Sequence, residues 1–68
     1  MEIFQKRLLE QRKLNGVTQR ELSNILGISQ PSYIRYENGS AEPSLTNLVK
    51  IADYFDVSVD YLLGRKEF

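Results

Sequence analysis

Apolar residues recur at three- and four-residue spacing along most of the chain, and short polar segments separate the stretches that show this spacing. Near the N-terminus, Phe4, Leu8 and the aliphatic part of Arg12 follow one another at intervals of four residues. This spacing places side chains on one face of an α-helix, whereas no segment alternates apolar and polar residues as a β-strand does. The pattern therefore predicts an all-α fold, a compact bundle of five helices.

Capping and turn residues set the predicted bounds of these helices. Thr18 and Glu21 have the spacing of a capping box, and a serine precedes each of the next three helices. The predicted helices run from about Ile3 to Asn15, from a Thr18 cap to Gly27, from a Ser29 cap to about Tyr36 or Glu37, from a Ser44 cap to near Asp56, and from a Ser58 cap through Val59 to Leu63. In the second helix, the residues expected to face the core are Leu22, Ile25 and Leu26. Because only three residues join the second and third helices, these two helices are expected to cross steeply.

A chain of 68 residues has room for one hydrophobic core, so a single domain is expected over residues 1–68, with residues 65–68 as a frayed end or the start of a tether. The sequence contains no Cys and no His, and no carboxylate pair has an evident catalytic setting. Neither an enzyme nor a bound cofactor or metal ion is therefore expected. No apolar run has the length of a membrane span or the shape of a secretory signal, so the protein is expected in the cytoplasm without a membrane partner.

The formal net charge is zero, but the charges are divided unevenly along the chain. Residues 1–35 hold six Lys or Arg and three Asp or Glu, whereas residues 36–68 hold three Lys or Arg and six Asp or Glu. This division would allow one positive face on a neutral molecule, although ordinary scatter of charges explains it equally well.

The third predicted helix has one face that suits contact with base edges. At about 100° per residue, that face holds Gln30, Pro31, Ile34, Arg35 and Asn38, and the opposite face holds Tyr33 and Tyr36. Glutamine can pair with adenine, arginine can pair with guanine, and an apolar side chain can contact a thymine methyl group. Two alternatives remain open: a solvated face with one stray isoleucine, or a shifted phase that buries Ile34 and exposes Tyr33.

Three segments in order resemble the lambda-type phage repressor and Cro family of helix-turn-helix domains, often called XRE-type. They are Val17 through Leu22, Leu26 through Ser32, and Arg35 through Gly39. The segment from Pro43-Ser44 to Gly64 resembles the family's fourth and fifth helices, so the resemblance spans about residues 4 to 64. It implies a lambda-repressor-like DNA-binding domain with its helix-turn-helix at about residues 19–38. It also implies a bacterial or phage-encoded regulator associated with the nucleoid.

The resemblance implies which residues contact DNA. The base-reading positions correspond to Gln30, Pro31, Ile34 and Arg35, and the positions that contact the DNA backbone correspond to Thr18, Gln19, Asn24, Ser29 and Asn38. Gln19 is the best candidate for a phosphate clamp, because the first amides of its helix point at a phosphate in this geometry. Thr18 and Ser29 also have a simpler role as helix caps, with or without DNA.

Arg12 and Glu37 resemble a salt bridge that ties the first and third helices of the family together, and they are interpreted as structural. The sequence departs from the family pattern at Gln11, Ser23 and Pro31. It also lacks Lys and Arg in the loop of residues 40–43, where relatives often place a base against the DNA backbone. Fewer phosphate contacts predict weaker binding by a monomer, which makes dimerisation more important.

One helix-turn-helix reads few base pairs, so specific binding ordinarily requires two half-sites about 34 Å apart and a two-fold dimer. The family commonly pairs through its fifth helix, and this chain is rich in apolar residues there. The candidate dimer contacts are Val57, Val59, Tyr61, Leu62 and Leu63. The alternative is that all five side chains fill the core.

The sequence therefore predicts a sequence-specific transcriptional regulator that binds double-stranded DNA. In the simplest form it is a repressor that binds an inverted-repeat operator as a homodimer. The alternative is a helix-turn-helix module that mainly binds protein, such as an antitoxin-type or antirepressor-controlled regulator. A protein antagonist is accordingly a further candidate partner.

Overall fold

The computed structural model describes residues 2–68, which form five α-helices and no β-strand. The helices are Glu2–Leu14 (α1), Gln19–Leu26 (α2), Gln30–Asn38 (α3), Leu45–Phe55 (α4) and Val59–Leu62 (α5). The prediction of an all-α bundle of five helices is confirmed. The predicted bounds differ from these by one or two residues, since α1 ends at Leu14, α3 extends to Asn38 and α5 ends at Leu62.

A threonine or a serine caps the N-terminus of each helix from α2 to α5, as the sequence predicts. Thr18 Oγ1 accepts from the Glu21 backbone N–H at 3.0 Å, and Glu21 Oε1 accepts from the Thr18 N–H at 3.3 Å. These two hydrogen bonds complete a capping box and fix the first turn of α2. At the other end of α2, Gly27 has φ 70°, a left-handed conformation that glycine adopts without strain, and the chain turns there into α3.

Among residues 2–68, twelve apolar side chains form the core. They are Phe4, Leu8, Val17, Leu22, Leu26, Tyr33, Tyr36, Leu48, Ile51, Ala52, Phe55 and Leu62. The two tyrosines pack edge to face, with ring centroids 6.2 Å apart. Because α1 packs against α3 and α5 while α2 packs against α3 and α4, the α2–α3 pair is supported by the rest of the molecule.

The sequence predicts that Ile25 faces the core, but 38% of its surface is exposed in the structure. The buried strip of α2 runs through Leu22, Ser23 and Leu26. At about 100° per residue, Ile25 lies on the far side of Leu22 from Ser23. The expectation was wrong because a helix this short buries only one narrow strip.

The segment after α5 is tied to α1 through Arg7. Arg7 Nη1 donates to the carbonyl oxygen of Tyr61 at 2.5 Å and to that of Lys66 at 2.6 Å. The same guanidinium lies 4.4 Å from the centroid of the Tyr61 ring, within the range of a cation–π contact. One side chain of α1 therefore holds both α5 and the residues that follow it.

Two further properties apply to the part of the chain that the structure describes. None of the helices within residues 2–68 has both the length and the apolarity that a bilayer span requires. The same residues bring together no group of three His, Cys, Asp or Glu side chains that could hold a metal ion.

Candidate nucleic-acid interface

The α3 helix buries one face and presents the other to solvent. Tyr33 is fully buried and Tyr36 is 8% exposed, so the alternative phase that exposes Tyr33 is excluded. On the opposite face, Pro31 and Arg35 are exposed and Gln30 and Ile34 are half-buried. The four predicted base-reading residues therefore share the outward side of one helix.

Gln30 and Arg35 keep their full hydrogen-bonding capacity. No hydrogen bond or ion pair between residues 2 and 68 involves either side chain. Gln30 can donate and accept at once, which matches the N6 and N7 edge of adenine, and the Arg35 guanidinium can fork onto O6 and N7 of guanine. This face of α3 is chemically suited to reading base edges in a major groove.

The N-terminus of α2 presents hydrogen-bond donors to solvent. The first backbone N–H groups of a helix have no intrahelical acceptor, and the helix dipole makes this end attractive to an anion. Thr18 Oγ1 accepts from Glu21, but its hydroxyl hydrogen has no acceptor among the described residues. The exposed Thr18 hydroxyl and the amides beside it therefore suit a phosphate oxygen.

Three of the other four predicted backbone contacts, which are Ser29, Asn38 and Asn24, differ in what they can offer a phosphate, since a phosphate accepts hydrogen bonds but does not donate them. Ser29 Oγ accepts from the Ser32 N–H and donates its proton to Ser32 Oγ at 2.9 Å, so Ser29 acts as a cap with its donor occupied. Asn38 Oδ1 accepts from Ser40 N and Oγ, which leaves the Asn38 NH2 group as a donor. Asn24 is exposed on α2.

A buried carboxylate joins α1, α2 and α3. Arg12 and Glu37 form an ion pair in which Arg12 Nε lies 2.5 Å from Glu37 Oε2, with side-chain exposures of 14% and 8%. Arg12 Nη2 also donates to Glu37 Oε1 at 3.3 Å, and the Tyr33 hydroxyl donates to Oε2. A fourth hydrogen bond comes from Gln19 Nε2, which donates to Oε1 at 3.1 Å.

These contacts fix the charges of the cluster. Burial opposes ionisation of Glu37, but the hydrogen bonds from Arg12, Tyr33 and Gln19 outweigh burial and hold the pKa of Glu37 below its ordinary value. The hydrogen bond to Glu37 raises the pKa of Arg12. Burial, followed by the hydrogen bond to Glu37, raises the pKa of Tyr33. At neutral pH the cluster is one carboxylate, one guanidinium and one neutral phenol.

Two members of this cluster were not assigned to it by sequence reasoning. Tyr33 was placed in the core alone, although Tyr33 and Glu37 stand four residues apart on one helix, a spacing that brings side chains together. Gln19 was assigned only to the DNA backbone. Its bond to Glu37 joins residues 18 apart and has no local sequence signal.

Most apolar side chains in α5 and next to it pack in or against the core of the protein. Leu62 is fully buried, so its side chain is not accessible to a second copy of the chain. The other four candidate dimer contacts pack partly buried against the core; they are Val57, Val59, Tyr61 and Leu63. The greater apolar exposure lies on α4, where Leu45 is 83% and Val49 is 49% exposed.

A hollow of about 220 Å³ adjoins this part of α4. Its lining is Phe4, Glu42, Pro43, Leu45, Leu48 and Leu63. The exposed Leu45 therefore stands at the edge of a largely apolar hollow that Leu63, the residue after α5, helps to form. We call Leu45, Val49 and the lining of this hollow the α4–α5 surface.

Comparison with known proteins gives a consistent set of similarities. The helix-turn-helix family model matches residues 8–62. Over 62 residues, 91% of this chain, the sequence is 46% identical to the cryptic phage CTXphi transcriptional repressor RstR of Vibrio cholerae, of which the match covers 55%. The structure is similar to that of a transcriptional regulator from Listeria innocua, with a TM-score of 0.86, 26% identity, and coverage of 90% of this chain and 57% of the other.

A second similar structure includes nucleic acid. It is the P22 c2 repressor protein in complex with synthetic operator 9T, with a TM-score of 0.84, 27% identity, and coverage of 93% of this chain and 96% of that protein. The present chain spans about half the length of the first curated relatives that it matches.

Proposed function

The chain belongs to the helix-turn-helix family of lambda-repressor-like proteins, and from this premise we propose that it is a transcriptional regulator that binds double-stranded DNA. The observation that supports this proposal most directly is the outward face of α3, where Gln30 and Arg35 have no partner within residues 2–68. The likeness to the P22 c2 repressor, whose structure contains an operator, supports the same conclusion.

In this proposal α3 lies in the major groove and reads sequence, while α2 contacts the DNA backbone. Gln30 and Arg35 supply the hydrogen bonds to base edges, and Pro31 and Ile34 supply apolar contact with thymine methyl groups. Thr18 and Gln19 contact a phosphate at the N-terminus of α2, and Asn24 and Asn38 add backbone contacts through their amide groups. Ser29 contributes by capping α3 in the required orientation.

We further propose that the regulator binds an inverted repeat as a two-fold dimer. The loop of residues 40–43 contains no Lys or Arg, so a monomer has few charge contacts with phosphate. In a two-fold interface each copy offers the same surface, so the Leu45 of one copy can enter the hollow of the other. The α4–α5 surface has both halves of such a contact, whereas the apolar residues of α5 itself are buried or partly buried against the core.

The regulatory effect that this arrangement supports is repression. A dimer bound across two successive major grooves covers the duplex that RNA polymerase needs to contact at an overlapping promoter. Occupancy alone then blocks transcription, and the chain needs no chemistry of its own.

Selection of bound duplexes from a randomised DNA pool tests the proposal, followed by titration of the enriched sequences. The expected result is an inverted repeat with half-site centres about one helical turn, or 34 Å, apart. A Gln30→Ala/Arg35→Ala double variant is the matched control, because both substitutions are on the outward face and leave the core unchanged. It should fold and enrich no sequence.

The selection also distinguishes the alternative function. Failure of the wild-type protein to enrich any duplex, with its helical circular dichroism intact, contradicts DNA binding by this chain. That result would favour a helix-turn-helix module that binds protein, with the half-exposed Ile34 as part of the contact.

A further inference from the structure

The side chain of Gln19 lies between a buried carboxylate and the proposed phosphate contact. Gln19 is the first residue of α2, and the capping box of Thr18 and Glu21 fixes its backbone. Its Nε2 donates to Glu37 Oε1 at 3.1 Å, and no other hydrogen bond within residues 2–68 involves this amide. One of the two Nε2 protons is therefore engaged, and the second has no acceptor in the protein.

We propose that Glu37 is a positioning residue for DNA binding, which orients the Gln19 amide so that its second Nε2 proton faces a phosphate oxygen. This inference rests on the proposed function and deepens it, because it assigns a part in DNA binding to a residue that the sequence marks only as half of a salt bridge.

The physical basis is the asymmetry of the glutamine side chain. A terminal amide has an oxygen that accepts and a nitrogen that donates two hydrogen bonds, and a free glutamine can turn either end toward a neighbour. A phosphate only accepts, so an amide that presents its oxygen to a phosphate is repelled. Glu37 also only accepts, and it thereby keeps the nitrogen of Gln19 on its own side. Since the two N–H bonds of one nitrogen point in different directions, the second donor remains available.

The charge of Glu37 does not cancel this benefit. Arg12 pairs with the carboxylate, and the Glu37 side chain is 8% exposed, so a phosphate meets a neutral ion pair and not a free negative charge. Arg12 and Tyr33 both donate to Oε2, which holds the carboxylate in place and keeps Oε1 toward Gln19. These contacts fix the position of Glu37 Oε1, the atom that orients the Gln19 amide.

The test uses a duplex enriched in the selection, in a series in which one phosphate at a time is replaced by an uncharged methylphosphonate. For the wild-type protein we expect one position in each half-site at which affinity falls about tenfold more than at neighbouring phosphates, as for one hydrogen bond to a charged group. Gln19→Ala should lose this extra sensitivity, which identifies the phosphate.

Glu37→Gln should lose the extra sensitivity at that same phosphate and keep the sensitivity at every other contacted phosphate. A neutral amide at position 37 can turn its own NH2 group toward Gln19, so the orientation of Gln19 is no longer imposed. Tyr33→Phe is the matched control, because it removes a hydrogen bond to the other oxygen of the same carboxylate. It should lower stability and retain the wild-type pattern, because Arg12 still donates to both oxygens of the Glu37 carboxylate. A folded Glu37→Gln protein with the wild-type pattern would overturn the inference.

Spectra of the wild-type protein give a test that does not depend on a variant that folds. In ¹H–¹⁵N spectra, the Nε2 proton of Gln19 that faces Glu37 should keep its shift when DNA binds, and only the second proton should move. A methylphosphonate at the identified phosphate should abolish the shift change of the second proton and leave the shift of the Glu37-facing proton as it was. Movement of the Glu37-facing proton instead would refute the inference.

If wild-type protein binds no duplex at all, the proposed function fails together with the inference. If it binds a duplex without this pattern of sensitivity and shifts, only the inference fails.

Discussion

Gln30 and Arg35 are the residues of α3 whose chemistry is least explained by the fold itself. Their side chains form no hydrogen bond or ion pair within residues 2–68, whereas Ser29, Tyr33, Tyr36, Glu37 and Asn38 of the same segment are all bonded to other protein groups. The domain therefore gains no hydrogen bond or ion pair from these two side chains. A change at either one therefore isolates recognition from folding.

Replacement of Arg35 by alanine should cost about 1 to 3 kcal/mol of binding free energy at one base pair and relax specificity there. Arg35→Lys is the matched control: it keeps the charge but replaces the rigid planar fork by a flexible ammonium group, so it should lose part of the discrimination while binding non-specific DNA as the wild type does. Competition binding against duplexes with each base pair substituted in turn measures both quantities. An equal loss on every sequence would contradict the assignment of Arg35 to base reading.

The Arg12–Glu37 pair makes stability depend on pH in a definite direction. The pKa of Glu37 in the folded protein lies below its ordinary value of 4.5. The pair therefore contributes stability above pH 4.5, and this contribution is lost as pH falls through the lower folded-state pKa. The free energy of unfolding should decline with acidity over that range.

Arg12→Met should lower the free energy of unfolding by about 3 kcal/mol at pH 7, because it leaves a buried carboxylate without its partner. The difference from wild type should shrink as pH falls, because protonation of Glu37 in the folded variant removes the unpaired buried charge, and protonation of Glu37 in wild type removes the ion pair. Lys13→Met is the matched control, because it replaces a basic residue by methionine at the exposed position next to Arg12. It should alter the free energy of unfolding by about 0.5 kcal/mol or less. Urea denaturation at several pH values measures all three proteins. A difference that stays constant down to pH 3 would show that the pair is not the cause.

For single residues, the sequence indicates hydrogen-bond and ion-pair partners only where the two residues are close in the chain or where a family resemblance supplies the pairing. Arg12 and Glu37 were paired through the resemblance, and the structure has this ion pair. The bond from Gln19 to Glu37 depends on how α2 rests against α3, and nothing in the sequence near either residue specifies that angle. The roles of all these residues toward DNA stay predictions until they are measured.

At the scale of the elements, helix ends were predictable and helix faces were less so. An N-cap is a local contact between a hydroxyl and an amide three residues later, so Thr18 and Ser44 indicate their helices without knowledge of the fold. The face that a short helix buries depends on its neighbours. Ile25 was expected inside and lies at the edge, whereas Ser23 is 2% exposed.

Ser23 lies on the strip of α2 that packs against the rest of the bundle, and its hydroxyl donates to the Arg20 carbonyl oxygen at 2.8 Å within its own helix. Ser23→Leu should cost about 1 to 3 kcal/mol of stability, because the added atoms force α2 away from its neighbours. It should also weaken binding to the enriched duplex, since α2 and α3 must keep their relative position. Ser23→Ala is the control and should change stability by less than about 1 kcal/mol, as the lost hydrogen bond is local. Urea denaturation and duplex titration measure both; a Leu variant with wild-type DNA affinity would show that recognition tolerates movement of α2.

At the scale of the whole molecule, size limits how two copies can meet on DNA. The domain measures 29 × 23 × 20 Å, and half-sites on one face of a duplex are about 34 Å apart. Two copies so placed meet only where side chains project, so their contact is small. The exposed Leu45 and the hollow beside it fit such a contact, since a few well-packed side chains carry most of the binding energy of an interface.

Leu45→Lys should therefore weaken the dimer without unfolding the protein. Loss of one buried leucine contact costs about 1.5 to 3 kcal/mol, which corresponds to a tenfold or greater rise in the dimer Kd. Because Leu45 is 83% exposed in the single chain, the free energy of unfolding should stay within about 0.5 kcal/mol of wild type.

Leu14→Lys is a matched control, because Leu14 is 80% exposed at the end of α1 and outside the α4–α5 surface. Sedimentation equilibrium measures the dimer Kd, and titration of a full inverted repeat against a single half-site measures its effect on DNA. We expect Leu45→Lys to lose affinity for the full repeat and keep affinity for the half-site. Equal dimerisation of the two variants would place the two-fold contact elsewhere on the molecule.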